Sequence, residues 1–125
     1  MKTPKDPRHK RRINIFKELF AWGFNQAKPT TKQAEEIVAN IDQIDKEIEE
    51  GAPEWPLAKI NKVDLSILRL AIFELIIEKD VPYKVVVDEA VELAKEFGSD
   101  ASFSFINGAL GKVISKYKID SNHHG

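Results

Sequence analysis

The fold class that this sequence predicts is all-α, a compact helical bundle of about five to seven helices, and three observations carry it. Apolar residues recur at 3.6-residue spacing in every long segment. Sustained strand-like alternation is absent from the chain. Helix-start and helix-stop residues fall between the periodic segments, as at Asp6-Pro7, Asn61 and Gly98. At 125 residues and 14.2 kDa, residues 1–125 form one domain with room for its own core. Residues 1–7 read as a basic flexible leader and 120–125 as a disordered tail.

Asp6 as N-cap and Pro7 at the first helical position open the first helix. Its inward stripe is predicted as Ile13, Phe16, Phe20 and Phe24, with Leu19 and Gly23, and it ends near residues 25–29. Thr30-Thr31-Lys32-Gln33 has capping-box spacing and starts a second helix that Gly51 stops. Ala34, Ile37, Val38, Ile41, Ile44 and Ile48 form its apolar face, opposite a solvated acidic face that includes Asp45, Glu47 and Glu50. Trp55, between Pro53 and Pro56, is expected to clamp two subdomains together. The third helix, about residues 62–77, is apolar nearly all round and belongs at the centre. Pro82 lies in the first turn of the fourth. Val85-Val86-Val87 is locally strand-like, but Val87, Ala90, Val91, Ala94 and Phe97 continue a helical stripe. The last helix, about 101–117, points Phe103, Ile106, Leu110, Val113, Ile114 and Tyr117 inward. Its Gly108 and Gly111 suggest close approach of a neighbouring backbone.

The absence of cysteine excludes disulfides, thiolate zinc sites and a cysteine nucleophile, and agrees with a reducing cytoplasm. No apolar run approaches the ~18 residues of a membrane span, and no apolar stretch follows the basic start as a signal peptide would require. Phosphate loops, nucleophile elbows and zinc-protease spacings are missing, so the chain reads as no enzyme, with no cofactor. His123 and His124 read as a solvated tail or an appended remnant, and no metal site is expected. The formal net charge of −1 conceals an asymmetry. Lys2, Lys5, Arg8, Lys10, Arg11 and Arg12 oppose Asp6 alone, a local +5 that leaves −6 for the rest. A polyanion would meet the first dozen residues. Arg8, Lys10, Arg11 and Arg12 lie off the 13–24 stripe, so their removal should spare the fold.

The chain resembles the NusB family of bacterial transcription antitermination factors. RHKRRINIFKELFAW matches at Arg8, Arg12, Leu19 and Trp22, with Phe20 where the family usually has Tyr. The stronger match is WPLAKINKVDLSILRLAIFELIIEKDVPYKVVVDEAVELAKEFGSDASFSFING, residues 55–108. Between residues 27 and 54 the likeness is weak and the chain shorter than most relatives.

The resemblance implies an adaptor that pairs with the ribosomal protein NusE, binds single-stranded boxA-type RNA and joins the RNA polymerase antitermination complex on ribosomal RNA operons. Arg8, Lys10, Arg11 and Arg12 would contact RNA, with Lys59 and Arg69 as further phosphate contacts. Phe20, Asp64 and Phe105 would face the partner. Phe20 as a core residue and Asp64 as a helix-terminal acid remain open. Two other readings stand: a stand-alone relative of the NusB-like docking domain of ribosomal RNA methyltransferases, and a helical protein-interaction module without RNA. Monomer and homodimer are both open.

Overall fold

The computed structural model describes residues 6–119. Six α-helices follow one another: α1 Pro7–Asn25, α2 Lys32–Ala39, α3 Ile41–Gly51, α4 Lys62–Phe73, α5 Tyr83–Phe97 and α6 Ser102–Lys116. A short 3₁₀ turn, Leu57–Lys59, precedes α4, and a π-helical segment, Glu74–Glu78, continues it. Among the described residues there is no strand, and Val85 to Val87 lie in α5 as expected. No helix of those residues is long and apolar enough to cross a membrane.

α4 packs against all five other helices. Its residues from Asp64 to Phe73 are all buried, which is what an apolar circumference demands. Asn61 starts it by accepting the Asp64 backbone N–H at 2.9 Å. Phe73, Ile67, Leu68 and Ile72 meet Leu19, Ile44, Leu93 and Leu110 in one core.

α1 begins as predicted, with the Asp6 carboxylate accepting the Arg8 N–H, but it presents a different face. His9, Arg12, Ile15, Phe16 and Leu19 are buried, whereas Phe20 is 37% and Phe24 69% exposed, stacked on each other with centroids 6.4 Å apart. Two charged residues joined the inner stripe because carboxylates wait for them on the helices behind. The leader assigned to residues 1–7 lies outside the described residues except Asp6 and Pro7, which cap and open α1. The tail at 120–125, with His123 and His124, lies wholly outside them.

Glu18 ties α1 to the start of α2, accepting the backbone N–H groups and hydroxyls of both Thr30 and Thr31. Burial alone would raise its pKa, but these bonds outweigh that and hold it at about 2, against 4.5 ordinarily. The bonds therefore stabilise the fold fully above pH 4.5, and their contribution disappears as pH falls through about 2. Glu18→Gln should accordingly be less stable than wild type near neutrality, by a gap that closes between those two values. Urea melts across the acid range check it, and a gap independent of pH would refute it.

The helix predicted to run from the Thr30–Gln33 capping box to Gly51 starts after Thr31 and is broken at Asn40, whose backbone leaves the helical region while its side chain bonds the Glu36 carbonyl at 2.8 Å. Glu47 is buried rather than solvated, bonded by the Tyr117 hydroxyl and by Lys116 Nζ at 2.9 Å. Gly51 marks the close helix approach, since a Cβ there would sit 3.0 Å from the Ala109 carbonyl oxygen. Gly108 and Gly111 face open space instead. α6 buries Ser102, Ile106, Ala109, Leu110 and Val113, leaving Phe103 and Tyr117 exposed. Trp55 clamps nothing: it is 52% exposed and meets Phe105 edge-on.

Candidate nucleic-acid and partner interface

Two turns of α1 divide their cations between solvent and interior. Arg8, Lys10 and Arg11 are exposed. The Arg8 side chain is 73% exposed, and its Nε and Nη2 each reach the Asp6 carboxylate at 3.4 Å. Arg12 points the other way: its Nε and Nη2 donate to the Glu74 carboxylate at 2.9 and 2.7 Å, and Nη1 lies 3.6 Å from Glu89. A guanidinium buried and bonded in this bidentate fashion is a structural strut between α1 and the π segment, so it stands apart from the three exposed cations.

His9 was missed as a site residue. It is buried beside Arg12, with Nδ1 2.9 Å from Glu89 Oε1 and Nε2 2.8 Å from Glu96 Oε1. Burial lowers its pKa, but the two carboxylates outweigh that and leave it above the ordinary 6.5. The signal lay in the spacing 9, 12, 16 and 19, one helical stripe that starts with two polar residues.

The remaining expected contacts separate into two places. Arg69 is buried, its Nε and Nη2 each 2.9 Å from the Asp45 carboxylate and its guanidinium 5.3 Å from the Trp22 ring centroid. That pairing withdraws it from phosphate. Lys59, Asp64 and Phe105 come together with Trp55, Asn61 and Ser104 around an open cleft of 460 Å³. Phe20 is not among the cleft's lining residues. Within the cleft Asp64 is 5% exposed, accepting the Ser102 hydroxyl at 2.6 Å and the Asn61 side-chain N–H at 3.1 Å. Phe105 is half-buried, its ring perpendicular to Trp55 with centroids 6.5 Å apart. The exposed chemistry of this cleft is therefore Trp55, Phe105 and Lys59 more than the acid.

An apolar helix packed against five others, with exposed cations at the start of α1 and an aromatic cleft beside α6, defines the class as a helical bundle. Residues 25–115 match the model of the NusB family, and the chain belongs to that family. The match spans residues 27–54, where resemblance had been weak. The transcription antitermination protein NusB of Roseiflexus castenholzii is 49% identical over 85 residues, 66% of this chain and 58% of that protein. Its namesake from Chloroflexus aggregans is 53% identical over 76 residues, 59% of this chain and 51% of that one. The chain thus aligns with a little over half the length of these relatives. Among solved structures, NusB of T. maritima superposes with a TM-score of 0.77 at 34% identity, covering 93% of this chain and 94% of that one. A chain from the structure of antitermination factors NusB and NusE in complex with dsRNA gives a TM-score of 0.74 at 23% identity, covering 90% and 100%, a likeness of fold.

Proposed function

We propose that the protein is a cytoplasmic, non-enzymatic adaptor of transcription antitermination, binding boxA-type single-stranded RNA together with NusE and joining the RNA polymerase complex on ribosomal RNA operons. The observation that carries the reading is the exposure of Arg8, Lys10 and Arg11 at the start of a helix whose family is NusB. Clustered exposed cations attract phosphate and release counterions. The interior groups capable of acid–base work, His9, Glu74 and Glu89, are held in ion pairs, which favours an adaptor over an enzyme. A small helical surface offers few platforms for stacking bases, so affinity is shared with a partner. NusE would dock on the Trp55–Phe105 cleft, where Lys59 can reach a neighbouring phosphate, and Phe20 with Phe24 would extend the contact on α1.

The test is a shift assay of boxA RNA with and without NusE, using Arg8→Ala, Lys10→Ala and Arg11→Ala combined. Each lost phosphate contact removes about 0.7 from the log–log salt slope on a single strand, so the triple variant should lose about two. Its circular dichroism should match wild type, because all three side chains lie in solvent. Unchanged affinity and slope would reduce these cations to a solubilising edge.

A further inference from the structure

We propose that His9 is a positioning residue: its imidazolium, held between Glu89 and Glu96, seats the first two turns of α1 and with them Arg8, Lys10 and Arg11, so that phosphate binding weakens as His9 loses its proton. The phosphate half of this rests on the RNA-binding reading above; the seating half does not.

Geometry demands the charged ring. Carboxylate oxygens lie 2.9 Å from Nδ1 and 2.8 Å from Nε2. An ionised carboxylate only accepts, so both ring nitrogens must carry hydrogen. Arg12 Nη1 lies 3.6 Å from the Glu89 carboxylate, and Glu96 is 46% exposed. On the neighbouring elements, Glu74 is bound to Arg12 and Glu92 is paired with Lys95. Asp88 precedes Glu89 on α5, and Asp6 with Arg8 sits on the ring's own helix.

A neutral imidazole keeps one N–H and turns a lone pair towards the other carboxylate. The bond to the partly exposed Glu96 is the one that solvent can replace. Arg12 stays locked to Glu74, so release is confined to the turns before it, where the three exposed cations sit. Sign follows from the raised pKa: the tie is complete below 6.5 and fades as pH rises through the folded-state value.

The experiment compares the full chain with His9→Gln, neutral at every pH, and with Glu96→Gln, which removes the outer acceptor. His9 is followed by imidazole NMR, assigned by its absence in His9→Gln. Amide exchange of Lys10, Arg11 and Arg12 is measured against His9→Gln at each pH. Protection in wild type should exceed the variant at about pH 6 and converge with it by about pH 9. The His9 midpoint should fall in Glu96→Gln. If seating drops to about a tenth, boxA RNA affinity falls about tenfold over the same range, and His9→Gln stays flat at the high-pH level. A wild-type pH slope that persists in His9→Gln, or protection indifferent to the titration, overturns the proposal. RNA binding absent at all pH values would remove the RNA reading and the phosphate half, and the seating then stands or falls on the exchange data alone.

Discussion

Replacing Arg12 by alanine should cost about 3–5 kcal/mol of stability, since it strands a buried carboxylate without its partner. Glu74 is 6% exposed, and both its oxygens accept from the Arg12 guanidinium. Glu89 would lose the same neighbour. Urea unfolding followed by circular dichroism reads the loss directly. Arg12→Met combined with Glu74→Leu should recover most of it, because apolar residues of similar bulk replace buried ion pairs at little cost. A loss below about 1 kcal/mol for Arg12→Ala would show that water reaches the pair. The premise that all four cations at 8, 10, 11 and 12 lie off the packed face is corrected: three lie in solvent, and Arg12 is buried and paired with Glu74.

The second large effect falls on Asp64→Lys, expected to destabilise the protein by about 3–5 kcal/mol. The position is 5% exposed, and its carboxylate accepts the Ser102 hydroxyl and the Asn61 side chain. A lysine there can accept neither bond and would bury a positive charge at the start of α4, where the helix dipole favours an acid. Its effect on NusE association would come through unfolding. Phe105→Asp is the cleaner probe of the cleft, since that ring is only partly buried and meets the exposed Trp55 edge-on. Calorimetry should show NusE binding weakened by about 2 kcal/mol for Phe105→Asp if it is a hot spot, with the melting curve close to wild type. Wild-type affinity would move the partner off this cleft, and an unfolded Phe105→Asp would assign the ring to the core.

What could be read beforehand was whatever a local window contains. The periodicity of α4, the caps at Asp6 and Asn61, and the helical state of Val85 to Val87 all depend on neighbours a few residues away. The face of α1 does not. It turned by one stripe because Arg12 pairs with a residue 62 positions on and His9 with one 80 positions on, and no window of helical length holds both ends. Phe105 was correctly taken off the inner stripe, yet Phe103 is the more exposed ring. Ser102 took an inward place because Asp64, across the bundle, accepts its hydroxyl. Glycines misled for the same reason: Gly51 is tight only because Ala109 crosses it, and Gly108 and Gly111 have no crossing partner.

The π segment after α4 is a helix carrying one residue more than its turns require. Its closing bond shows this, with the Lys79 N–H reaching back five residues to the Glu74 carbonyl at 3.0 Å. One residue is worth about 100° of rotation about the axis. The direction in which the chain leaves for α5, and hence where Glu89 and Glu96 come to lie around His9, is set by that phase. A single deletion between residues 75 and 78 would leave every one of these ion-pairing side chains in the chain and aim those of α5 elsewhere.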